Sequence, residues 1–140
     1  MALDLNNLEE AVTALNRALA LSDDSVFMGP LDPVAQSVFK AGVIQHFEFT
    51  YELCWKLMKR WLELNVSPTT ADGATRRELF RYAAESRLID DVDAWMAHHK
   101  ARNQTSHTYH ADIAEVVYVA AHEFARDAIR LLAVLKARND

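Results

Sequence analysis

Apolar residues recur with helical spacing along almost the whole chain. Over residues 4–21, Leu8, Val12, Leu15 and Leu19 fall on one stripe, which predicts an amphipathic helix. Residues 22–31, with Gly29 and Pro30, interrupt the pattern. Asp32 followed by Pro33 then supplies an N-cap and a first-turn residue for a helix over 33–65. That helix would be roughly 50 Å long at 1.5 Å per residue. Its buried stripe is Ile44, Phe47, Tyr51, Cys54, Met58 and Trp61, widened by Leu53 and Leu57. Gln45, Glu48, Glu52, Lys56, Lys59 and Glu63 form a narrow polar stripe opposite. Glu48 and Glu52 are four apart, so they repel unless a cation lies across them. The spacing favours a solvated face with Glu52 and Lys56 as an exposed pair; the alternative is a basic group on another helix facing both carboxylates.

Residues 66–74, with Pro68 and Gly73, read as a loop. Thr75-Arg-Arg-Glu78 has the capping-box pattern and opens a short helix to about residue 86. Asp90 or Asp91 starts a further helix through Val92, Trp95 and Met96 into residues 98–110. Asp112-Ile-Ala-Glu115 repeats the capping-box pattern before a last long helix to about residue 138, with Ile113, Val117, Ala120, Phe124, Leu131 and Leu135 on its apolar face. The expectation is an all-α protein, an up-and-down bundle of four main helices plus one short helix, forming one domain over 1–140. Three Gly and three Pro are too few for a sheet protein with many tight turns, and 140 residues can bury one sizeable core.

Charge narrows the function classes. The formal net charge is −5, so any nucleic-acid contact must come from a local basic patch rather than an overall positive field. The single Cys54 has no internal disulfide partner and sits among apolar neighbours, the pattern of a buried thiol in a reducing compartment. The first residues, MALDLNNLEE, lack the basic start and apolar core of a signal peptide. No apolar run approaches the roughly 20 residues of a membrane span. These features point to a cytoplasmic protein without a membrane partner.

The candidate chemistry is concentrated in residues 98–110, HHKARNQTSHTYH. If the helix continues through His110, a rotation of about 100° per residue places Val92, Trp95, His99, Arg102, Ser106 and Tyr109 on one stripe. Met96, His99, Asn103, His107 and His110 fall on the next. A face that is apolar at Trp95 and Met96 thus becomes polar without changing direction, which needs a compensating reason. Arg102 and Asn103 could satisfy helix ends or carboxylates such as Glu48 or Glu52. His107 and His110 have ligand-like spacing, but no Cys or carboxylate completes a familiar metal pattern. Phosphate chemistry is the third possibility: Arg grips phosphate bidentately, and His can exchange a proton with a ribose 2′-hydroxyl near neutrality. Arg102 and His107 are about 140° apart on a helix, so two copies meeting across a two-fold axis would be needed to aim both at one small site.

Arg102-Asn103-x-x-x-His107-x-Tyr109 resembles the RNxxxHxY motif of HEPN-domain proteins. Gln45-x-Phe47-Glu48-x-x-x-Glu52-x-x-Trp55-Lys56 resembles the long helix of one branch, the nucleotidyltransferase substrate-binding proteins, related to the HepT toxins of HepT/MntA systems. The likeness covers nearly the whole chain. It implies a helical bundle that forms a homodimer with the motif at or near the interface, and a cognate minimal nucleotidyltransferase as partner. It also implies metal-independent RNA cleavage in a toxin–antitoxin pair. Carried over by position, Arg102 would steady phosphate, His107 would act as acid or base, and Asn103 would orient them. Tyr109 would be the residue that the partner modifies with AMP, placing negative charge and bulk beside Arg102. Glu48, Glu52 and Ser106 are the possible supporting residues, no cofactor or metal is called for, and His98, His99 and His110 are given no role. The alternative is a non-catalytic subunit that presents substrate, or Tyr109 itself, to the partner. The chain departs from its relatives in having Arg87 where Gly is common before Leu88-Ile89-Asp90, and in having His98-His99-Lys100-Ala101 where an acidic residue commonly precedes the Arg.

Overall fold

The computed structural model describes residues 2–140, and its regular structure is entirely helical. In chain order the helices are α1 (Asn6–Ser22), α2 (Ser25–Met28), α3 (Pro33–Asn65), α4 (Arg76–Glu85), α5 (Val92–Gln104) and α6 (Ala111–Ala137), with a 3₁₀ turn at Thr105–His107 between the last two. The long helices α1, α3 and α6 pack on one another, and α4 and α5 close the remaining side. No described helix is long and apolar enough to cross a membrane.

The caps explain most of the boundaries. Asp32 accepts from the Ala35 N–H, and Pro33 occupies the first turn, so α3 starts where expected. Thr75 and Glu78 form a reciprocal capping box at α4, and Asp91 caps α5 through the Ala94 N–H. Inside the bundle, Phe124 takes edge-on contacts from Phe47, Trp95 and His98 at centroid separations of 5.0, 5.9 and 5.3 Å. Cys54 is fully buried, and burial pushes its thiol pKa up, so it packs as an inert apolar group.

Four expectations need correction. The interruption at 22–31 contains a short helix, α2, capped by Asp24, whose carboxylate accepts from the N–H groups of Val26 and Phe27. The helix carrying the motif stops at Gln104 instead of reaching His110. Three hydroxyls bond backward there: Thr105 to the Arg102 carbonyl, Ser106 to Asn103 and Thr108 to Thr105, each spanning three residues. Such local bonds compete with the α-helical ladder and favour the tighter 3₁₀ spacing. The α6 capping box is absent: α6 begins at Ala111 after an extended His110, so Asp112 sits in the first turn, where its charge favours the helix dipole. Finally, Glu52 does not form the expected exposed pair with Lys56; its partners are Trp55 and Arg102.

The α4 C-terminus explains the unusual Arg87. Arg87 has φ 61°, its N–H bonds to the Ala84 carbonyl, and the Leu88 N–H reaches back to Ala83. This is a Schellman ending, whose left-handed residue favours glycine. Relief of that strain, about 1–2 kcal/mol, exceeds the extra unfolded-state entropy that glycine brings, about 0.4–1 kcal/mol. Arg87→Gly is therefore expected to stabilise the protein by roughly 0.5–1 kcal/mol in urea denaturation.

A second polar cluster fastens the end of α1 to α6. His122 Nε2 lies 2.9 Å from Asp23 Oδ1, and the Tyr118 hydroxyl donates to the same oxygen at 3.0 Å. Burial alone would lower the His122 pKa, but the bond to Asp23 and its charge outweigh it and raise the pKa. Burial would likewise raise Asp23, but the bonds from His122 and Tyr118 hold it below its ordinary value. The raised His stabilises the fold below its unfolded value of 6.5 and loses that contribution as pH rises through its folded pKa; the depressed Asp stabilises above 3.8 and loses it in acid. His122→Gln should therefore cost more stability at pH 5.5 than at pH 8.5, as read by paired thermal melts.

Candidate functional site

Arg102, on the last turn of α5, lies across the two carboxylates of α3. Its Nε is 3.3 Å from Glu52 Oε1, and its Nη1 is 4.0 Å from Glu48 Oε2. Nη1 also donates to the Thr105 hydroxyl at 3.0 Å. The cation that the Glu48/Glu52 spacing requires thus comes from α5, and the less favoured of the two sequence readings is the observed one. The pairing is not ideal: Nε is buried, yet its N–H points away from a hydrogen bond with Glu52. Trp55 Nε1 donates to the other Glu52 oxygen at 3.0 Å and fixes that carboxylate.

Asn103 is exposed and touches the core only through a histidine. Its amide lies 3.4 Å from His99 Nε2, and His99 Nδ1 lies 2.8 Å from the buried Tyr51 hydroxyl. Burial first, then the nearby Arg76 and Arg102 cations, lower the His99 pKa against the opposing charge of Glu52. The ring is neutral at pH 7, and with Asn103 donating to Nε2 it carries its proton on Nδ1 toward Tyr51. His99 had been given no role, yet it connects the motif to the core.

The remaining motif residues lie outside this cluster. His107 and Tyr109 are exposed on the 3₁₀ turn and the segment after it, with their rings 6.2 Å apart. Tyr109 is 77% exposed, and its ring lies tilted against His110 with centroids 4.4 Å apart. Among the described residues no hydrogen bond or ion pair links His107 to Arg102. Ser106 donates only to the Asn103 carbonyl, so it shapes the turn rather than the site. His98 points the other way, into the core, where its Nε2 bonds Asp127 at 2.6 Å. The described residues hold no cluster of three or more metal-ligating side chains.

Beside the motif a groove of about 490 Å³ runs between α3 and α6. Glu48 and Thr108 form its motif end, while Lys40 and Glu115, 3.2 Å apart, bridge its walls. Sequence reasoning missed Lys40 because its partner is 75 residues away. It also missed Arg76, whose guanidinium lies 3.5 Å from the Trp55 ring centroid; Arg76 read only as a helix-opening residue.

Residues 3–137 match the family described as nucleotidyltransferase substrate binding protein like. The chain belongs to that family. The chain is 36% identical to the probable ribonuclease HepT of Haemophilus influenzae, over 98% of this chain and 94% of that one. Its fold superposes with a TM-score of 0.91 on the Haemophilus influenzae protein HI0074, solved as the substrate binding domain of a nucleotidyltransferase. That pair shares 32% identity over 95% of this chain and 99% of the other. A protein from Thermus thermophilus matches with a TM-score of 0.72 and 25% identity over 92% of this chain and 98% of its own. The fold and family expected from the motif and the long-helix pattern are those found.

Proposed function

We propose that this substrate-binding protein is the toxin-like partner of a minimal nucleotidyltransferase and, as a homodimer, cleaves RNA without metal. The observation that carries the reading is the arrangement of the motif: Arg102 fixed by Glu52 and Thr105 with part of its side chain still exposed, and His107 free on the adjoining turn. Arg102 would hold the scissile phosphate. His107 would take the proton from the ribose 2′-hydroxyl, whose oxygen attacks phosphorus as the bond to the 5′-oxygen breaks. The leaving oxygen takes up a proton, so the products carry a 2′,3′-cyclic phosphate and a 5′-hydroxyl. Purified protein incubated with RNA and a chelator should yield those ends; uncut RNA at every protein concentration would overturn the reading.

A second chain is part of this reading, because one chain does not bring His107 to Arg102. Val34, Val38 and Phe49 lie within about 60° of one another on α3, and Val116 and Val119 are similarly close on α6. All five are exposed, an apolar surface flanking the groove and the motif that suits a two-fold partner. Sedimentation velocity at micromolar concentration should show a dimer, and Val38→Glu with Val119→Glu should shift it to monomer. A monomeric parent protein would remove this element.

One observation favours the non-catalytic alternative. Arg102 already faces two carboxylates, which compete with any phosphate for it. In that case the function is to present Tyr109, whose exposed hydroxyl is open to attack on the α-phosphorus of ATP with release of pyrophosphate. AMP transfer to Tyr109 by the partner, with no cleavage of RNA, is the result that selects it.

A further inference from the structure

Beyond the motif, one pocket carries positive charge without a counter-ion. It has a volume of about 260 Å³, lies at the start of α4 and is lined by Trp55, Lys59, Gly73 and Arg76. Among the described residues neither Lys59 nor Arg76 forms an ion pair. Arg76 lies over Trp55, with its guanidinium carbon 3.5 Å from the ring centroid, and its buried Nε lacks a hydrogen-bond partner. Lys56 adds a third cation, 5.7 Å from the same ring centroid. A half-buried guanidinium with no carboxylate is unusual in a chain of net charge −5. The acidic groups nearby in sequence are otherwise occupied or exposed: Glu52 serves Trp55 and Arg102, Glu63 pairs with Arg60, Glu78 closes the capping box, and Asp72 is exposed.

A chain of side-chain contacts links the pocket to the motif. Arg76 stacks on Trp55, Trp55 donates to Glu52 at 3.0 Å, and Glu52 lies 3.3 Å from Arg102. One indole and one carboxylate therefore separate Arg76 from Arg102. A fixed guanidinium with a flexible ammonium suits a phosphate oxyanion: the first supplies directed N–H groups, the second adjustable charge. A pair of cations at the pocket and a further one, Arg102, beyond Glu52 suits consecutive phosphates of a strand better than one compact anion.

We propose that Lys59 and Arg76 form a phosphate subsite for single-stranded RNA, holding the strand to one side of the Arg102 site. This rests on the RNA-cleaving reading, and it places the required local basic patch on the α3–α4 side of the motif. Each cation that neutralises one phosphate of a single strand contributes about 0.7 to the slope of log affinity against log salt. At about 0.1 M salt that corresponds to roughly five-fold in affinity per contact.

The test measures binding of a short, 2′-O-methylated and hence uncleavable oligoribonucleotide by fluorescence anisotropy across a salt series. Lys59→Ala should bind roughly five-fold more weakly at about 0.1 M salt, with a slope shallower by about 0.7, and adding Arg76→Gln should repeat the loss. Lys59→Arg should bind like the parent. Lys136→Ala removes the same charge from a lysine that pairs with Glu9, and should leave affinity unchanged. If the Arg76 variant does not fold, Lys59→Ala alone decides. Equal losses from Lys59→Ala and Lys136→Ala would reduce the effect to net charge and overturn the subsite. If the parent binds and cuts RNA, His107→Ala stops cutting, and Lys59→Ala binds normally, the subsite falls and the ribonuclease reading stands. If the parent binds no RNA, both fall together.

Discussion

Replacing His107 with alanine is expected to slow the proposed metal-independent RNA cleavage by about 10²–10⁴-fold, the usual contribution of a positioned acid or base. The same change should barely alter stability. His107 is exposed, and its ring contact is an edge-on approach to Tyr109 at 6.2 Å, well away from the Phe47–Phe124 core. Surface substitutions of this kind usually fall within about 0.5 kcal/mol. Activity and folding therefore separate cleanly at this residue, which they do not at Arg102. Arg102→Ala would remove the proposed phosphate grip and also leaves Glu48 and Glu52 facing each other without their cation. Product-end analysis, single-turnover rates and urea titrations on parent and His107→Ala proteins provide the comparison. Undiminished cleavage by folded, dimeric His107→Ala protein would remove His107 from the chemistry.

The helices were legible wherever local chemistry decided them. Asp32-Pro33, Thr75–Glu78 and Asp91 carry their own start signals, and each acts as one. The α1 stripe of Leu8, Val12, Leu15 and Leu19 is buried throughout. The motif turn was not legible because helical periodicity does not register the hydroxyls of Thr105, Ser106 and Thr108, whose backward bonds end α5 early. That turn changes the site, since it takes His107 off the stripe that a continuous helix would impose. The Glu48/Glu52 pair shows a different limit. Spacing revealed the repulsion, but only the packing of α5 on α3 identified Arg102 as the compensating cation. Arg76 and Lys40 depend on contacts between helices distant in sequence, on Trp55 and on Glu115 respectively. The histidines, which periodicity does not tell apart, differ in the fold: His107 is exposed on the turn, whereas His98 and His99 tie α5 to its neighbours.

His98 therefore carries the second large expectation, a loss of stability without any role in chemistry. It is 5% exposed, and its ring lies edge-on to Trp95 and Phe124 at 5.2 and 5.3 Å. Burial lowers its pKa against the opposing pull of Asp127, so at neutral pH the contact is a neutral N–H donating to a carboxylate at 2.6 Å. Truncating a large buried side chain to alanine costs about 2–5 kcal/mol, and a hydrogen bond to a charged group contributes about 1.5–3 kcal/mol. These terms overlap, and Asp127 keeps Arg130 at 3.1 Å, so His98→Ala should lose about 3–4 kcal/mol in urea denaturation. His98→Phe retains the ring and removes only the bond, so a smaller loss of about 1.5–3 kcal/mol is expected. The pH dependence provides a separate check. A histidine with a lowered folded pKa resists protonation in the native state, so its contribution falls as pH drops below its unfolded value of 6.5. His98→Phe should lose less stability than the parent between pH 6.5 and lower values, even though it starts less stable at pH 7.5. Parallel curves for the two proteins would show that His98 does not titrate across folding, and the neutral-donor account of its bond to Asp127 would then fail.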